Sequence, residues 1–97
     1  MAAIALAAVT LIWTDTGQGG EIASLYRINN VTTADTFDPG SIVPAGAPTY
    51  KKIKAATMLT HGTLATVGTI AFSGTVGTIT QTSLANDTIF VLVLGQR

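Results

Sequence analysis

The residues able to do chemistry are few and scattered. His61 is the only histidine of the chain. It stands before Gly62 at the end of a strand-forming run, and a histidine base needs both a nucleophile within reach and a third group to orient it. Asp87 belongs to a polar turn. Ser24, Ser41, Ser73 and Ser83 sit in no strand-turn-helix elbow. No catalytic residue is therefore assigned. Asp35 and Asp38, three residues apart in a loop, offer two oxygens to a cation that wants six or more, and they read as acceptors of turn hydrogen bonds. No metal site and no cofactor is expected. Three glycines within residues 17 to 20 make a flexible tip without the spacing of a phosphate loop, since no Lys-Ser/Thr pair follows and no helical pattern begins. Trp13, Tyr26 and Tyr50 would form a sugar platform if the fold brought them together; aromatics so far apart in sequence serve more often as core or interface anchors.

Composition points toward contact rather than catalysis. The 97 residues are 47% hydrophobic and 10% charged, against a usual charged fraction of about 25%. So little charge leaves the exterior to Thr, Ser, Asn and Gln, or to other subunits. Five basic and five acidic side chains cancel, so no net field draws the chain to nucleic acid or to an anionic membrane. With no cysteine, stability must come from packing or from a partner. Lys51, Lys52 and Lys54 open a strand and discourage unwanted strand addition; a docking patch for an acidic partner is the other reading of the same cluster.

The chain is organised around residues 53–79, where β-branched runs alternate with Gly-Thr steps. That is the pattern of antiparallel strands joined by turns. Within it, 69–72 and 75–79 form a hairpin with Ser73-Gly74 as the connection. Residues 22–31 alternate cleanly, with Tyr26 and Ile28 on one face and Leu25 and Arg27 on the other. Asp38-Pro39-Gly40 is a turn, Pro44 and Pro48 exclude a central strand, and a short strand is expected at Thr36-Phe37. Phe37, Ile42 and Val43 should pin this long connection to the sheet. From Tyr50 the chain is extended again, with Tyr50, Lys52, Lys54, Ala56 and Met58 expected on one face. Residues 88–95 are apolar on both faces, as in a strand that is central in a two-layer sandwich or buried against another subunit.

The opening run "MAAIALAAVTLIW" has no basic residue before its apolar core, and Asp15 stops it short of a membrane span. It reads as a flexible start and a strand from about Ile4 to Thr14, because Val9, Thr10, Ile12 and Trp13 favour a strand and no polar helical face exists. The expected fold is all-β: one domain over residues 1–97, a small antiparallel β-sandwich or β-tulip-like barrel of six to eight strands. Residues 1–12 are either an arm or an intersubunit strand.

The order of these segments, with "TADTFDPGS", the lysine-bearing strand, "GTIAFSGTVGTIT" and the closing "DTIFVLVLG", resembles the small all-β virion proteins of tailed double-stranded-DNA phages, the head decoration or cement proteins. That resemblance implies a non-enzymatic subunit on the outer surface of a capsid. It would assemble as a homo-oligomer, a trimer before other forms, and clamp the major capsid protein and sister subunits. On this reading the contact residues are Ile4, Leu6, Ile12, Trp13, Phe37, Ile42, Val43, Tyr50, Lys52 and Lys54, with neither nucleic acid nor membrane as partner. The alternative is a carbohydrate- or receptor-binding β-sandwich module of a phage tail or fibre.

Overall fold

A computed structural model describes residues 3–32, 34–41, 44–61, 67–68, 70–79 and 87–97. These residues form eight strands and two single 3-10 turns: β1 Val9–Thr16, β2 Glu21–Val31, β3 Thr36–Phe37, β4 Lys52–His61, β5 Val67–Gly68, β6 Ile70–Ser73, β7 Val76–Ile79 and β8 Asp87–Gln96. They make two antiparallel sheets. The larger runs β1-β2-β8-β4-β5 and the smaller β3-β7-β6. This is the expected all-β, sandwich-like architecture. Among the described residues, no helix is long and apolar enough to cross a membrane.

The closing segment is central, as its two apolar faces require: β8 pairs with β2 on one side and β4 on the other. Its Ile89, Val91 and Val93 are fully buried, as are Tyr26 and Ile28 of β2 and Met58 of β4. Phe37 of β3 and Ile79 of β7 join the same cluster, so the small sheet covers the inner face of the large one. Tyr26 meets Phe37 edge-on, with ring centroids 5.1 Å apart, a favoured aromatic geometry.

Three departures from simple alternation set the register. Between Leu11 and Trp13 the β1–β2 pairing shifts, leaving Ile12 as the extra residue. Between Ile53 and Ala55 the β4–β8 pairing shifts in the same way, leaving Lys54 unpaired. One inserted residue reverses the facing of what precedes it. Lys52 and Lys54 therefore do not share the inward face of Ala56 and Met58; both lysines are exposed, and Ile53 packs against the core instead. In β2, the shift between Ile28 and Val31 coincides with Asn30 at φ 58°, a left-handed conformation that asparagine tolerates better than most residues.

Two expected boundaries move. The first strand begins at Val9, not Ile4. Residues 6–8 turn once, with Ala8 N–H donating to the Ala5 carbonyl, because alanine has little preference for a strand while Val9 and Thr10 do. Ahead of that turn, Ile4 N–H donates to the Thr36 carbonyl at 2.8 Å, and the Ile4 side chain is buried. The start thus packs on β3 of its own chain rather than leaving it as an arm. In the hairpin, Ser73 pairs with Val76, so the connection is Gly74-Thr75. Gly74 has φ 64°, and a positive φ at the first turn position alone is the type II′ pattern that suits a twisted ribbon.

Candidate interaction surface

Burying one face of the large sheet leaves the other outward, and the middle of that outward face is apolar, between exposed Arg27 at one end and Glu21 and Lys52 at the other. Register gives its rows. Trp13, Leu25 and Leu92 stand side by side across β1, β2 and β8, and Thr57 of β4 completes the row. The next row is Asp15, Ala23, Leu94 and Ala55. Trp13 is 47% exposed and Leu94 43%, while Leu25 and Leu92 are half-buried by their neighbours. None of the described strands lies over this face, since the small sheet packs on the other side. Apolar side chains contiguous across four strands are unusual on a solitary domain and mark a contact site.

At one end the face dips. Asp15, Gly17, Glu21, Ala23, Lys54, Ala55 and Leu94 line a depression of about 320 Å³. Two alanines beside the larger Leu94 account for the shape, and the rim is charged. Lys54, freed from the ladder by its bulge, reaches over β8 to Glu21, Nζ to Oε1 2.6 Å. Both side chains are exposed, so the pair contributes at most about 1 kcal/mol.

The residues expected to make contact divide into two groups. Leu6, Ile12 and Trp13 are 51, 47 and 47% exposed on the β1 side, and Lys52 and Lys54 are exposed on β4. Ile4, Phe37 and Tyr50 belong to the core, so they hold the subunit together and present no surface to a partner. Ile42 and Val43 lie outside the described residues. So does the side chain of His61, the last residue of β4. Leu25, Leu92, Leu94, Ala23 and Ala55 were missed as a surface. The signal was present in 88–94, which is apolar on both faces, but only the pairing shows which face lacks a cover.

The three aromatics do not form a platform. Tyr26 and Tyr50 point inward and are fully or almost fully buried, whereas Trp13 stands on the opposite face. The tyrosines belong to an interior polar cluster. The Tyr50 Oη lies 2.9 Å from Ser24 Oγ and 3.1 Å from the Val93 carbonyl oxygen, and Ser24 Oγ is 3.1 Å from Thr14 Oγ1. Burial raises the Tyr50 pKa, partly offset by Ser24. Among the described residues, Tyr26 Oη has no hydrogen-bond partner; the nearby Ser24 hydroxyl, already shared by Thr14 and Tyr50, offsets only part of the cost of burial. Desolvation pushes the Tyr26 pKa up to about 12.

The two loop carboxylates act within turns, as expected. Asp35 Oδ2 accepts from Thr32 N–H at 3.0 Å. Asp38 is a hub: it accepts from Gly40 N–H, Ser41 Oγ and Thr75 Oγ1, each at 2.8 Å. Partial burial pushes its pKa up, but the donors Ser41, Thr75 and Gly40 outweigh it and hold the carboxyl below its usual range. The bond from Thr75 ties the long connection to the turn of the β6–β7 hairpin.

No family model matches the chain, and neither a curated protein nor a solved structure does. The reading of the surface therefore rests on its own geometry.

Proposed function

We propose that this chain is a non-enzymatic structural protein that decorates and stabilises a phage capsid by bridging capsid subunits on the outer surface of the virion. The observation that carries the reading is the outward face of the large sheet, with Trp13, Leu25, Leu92 and Leu94 exposed or half-buried and none of the described strands over them. A rigid β-scaffold presenting such a face, together with Leu6 and Ile12 on the β1 side, works through area of contact. On a symmetric shell many modest contacts reinforce one another, because each engaged subunit raises the effective concentration of the next. The layout of segments resembling head decoration proteins supplies the capsid as partner.

Among the described residues, exposed Trp13, with Asp15 two residues on, favours a carbohydrate-binding module. Against it, Leu25 and Leu92 occupy the row beside the indole, where a sugar site would place hydrogen-bonding groups.

The two readings separate when purified protein is added to undecorated capsids of its cognate major capsid protein. Decoration predicts saturable binding at a fixed ratio to capsid subunits and a raised disruption temperature. Trp13→Ala should lower occupancy at least about tenfold at subsaturating concentration, as expected for a buried aromatic anchor. Wild-type protein that fails to bind these capsids, but binds a glycan through Trp13, would overturn the proposal in favour of the module.

A further inference from the structure

The outward face is complementary to itself. Its β1 margin carries Asp15 and its β4 margin carries Lys52 and Lys54, with Ala23, Leu25, Leu92 and Leu94 between them and the charged Glu21 and Arg27 of β2 at the two ends of this apolar centre. A second copy turned over about a two-fold axis parallel to the strands keeps each row in place and exchanges the margins, so β1 meets β4 and β2 meets β8. Large falls on small at the margins and leucine on leucine at the centre. Trp13 lies over Thr57 of the other copy and Asp15 over its Ala55, Ala23 lies under its exposed Leu94, and Leu25 meets Leu92 at the centre. Asp15 comes within reach of the lysines on the opposite margin. We propose that a second copy of this chain occupies this face, forming a two-fold, face-to-face pair of sheets.

This inference rests on reading the face as a contact surface, and it names the sister subunit as its occupant. The face then joins two subunits, each of which reaches the capsid with the side of β1 that bears Leu6 and Ile12, and losing Trp13 lowers capsid occupancy through loss of the pair. The symmetry is isologous, with every contact made twice. Two sheets pack face to face about 10 Å apart, which leaves room for one interdigitated layer of side chains. Four strands spaced about 4.8 Å apart, each presenting about 25 Å of length, give a face with a plan area on the order of 450 Å². Side-chain relief enlarges that toward the roughly 600–800 Å² per partner of ordinary specific complexes. The pair is expected to form at micromolar concentration.

Sedimentation equilibrium of the full chain from about 1 to 100 µM, without capsids, tests this separately from decoration. Wild type should move from monomer to dimer within the range. Asp15→Lys and Lys52→Asp should each weaken association by at least about fivefold, and the double variant should recover to within about threefold of wild type. The two positions are on opposite margins, three strand spacings or about 14 Å apart, so recovery cannot arise inside one chain. Leu92→Lys should abolish association with the far-UV circular dichroism unchanged. A wild-type monomer at every concentration, a trimer, or a double variant no better than the single ones would each overturn the proposal. Dimers that fail to bind capsids would leave this inference standing and remove the decoration reading.

Discussion

Tyr26 and Tyr50 bury the same group to opposite effect. The Tyr50 hydroxyl is satisfied by Ser24 and the Val93 carbonyl, so Tyr50→Phe should strand these partners and lower unfolding free energy by about 1–2 kcal/mol. Tyr26 Oη is buried without a partner among the described residues. Tyr26→Phe keeps the ring against Phe37, removes an unpaid desolvation, and should leave stability unchanged or raise it by up to about 1 kcal/mol. Urea denaturation of both variants checks the contrast; equal losses would show that the Tyr26 hydroxyl is bonded after all. Asp38 gives the acid limb of stability. Its folded pKa lies below the unfolded value of about 3.9, so its contribution is complete above that value and is lost as pH falls through the folded one. Asp38→Ala should be less stable than wild type at pH 7 by on the order of 1–2 kcal/mol, with the gap narrowing below about pH 4. A gap independent of pH would contradict the assignment of the carboxylate as the hub.

At the scale of elements, the β4–β8 pairing depends on one residue without a side chain. A Cβ on Gly95 would collide with the Lys52 carbonyl and the Tyr50 ring, both fixed by the core. Gly95→Ala should therefore destabilise by about 2–3 kcal/mol through overpacking at the centre of the sheet, read as a lower urea midpoint with an unchanged slope. An unaffected midpoint would mean that β4 and β8 approach less closely there. The strands themselves were legible in the sequence. Ile22, Ser24, Tyr26 and Ile28 alternate with Ala23, Leu25 and Arg27, and 88–94 is apolar on both faces, as a central strand requires. The bulges at Ile12 and Lys54 were not legible, because a period of two carries no mark of an inserted residue until a partner strand supplies the register. Hence the lysines were assigned to the wrong face, whereas Tyr50, ahead of the strand, is buried in the same core as Met58, on whose face it was placed. The start was misjudged for a related reason: Ile4 is apolar enough for a strand, but its burial depends on a contact with Thr36 made thirty-two residues later. Of the candidate surface, Leu6, Ile12, Trp13 and the lysines were visible as apolar or charged residues on margins. The rows linking Trp13 to Leu25 and Leu92 exist only in the folded sheet.

For the whole molecule, a neutral chain with 10% charged residues has little self-repulsion to keep copies apart. It packs one face of its large sheet under β3, β6 and β7 and leaves the other for contact. The subunit is proposed to serve a capsid, and quantitative proteomics of purified virions combined with a reconstruction of the particle is the decisive test. The account predicts a copy number comparable to that of the major capsid protein and density spread over the outer surface of the head. A few copies confined to the tail, or none in the virion, would contradict it.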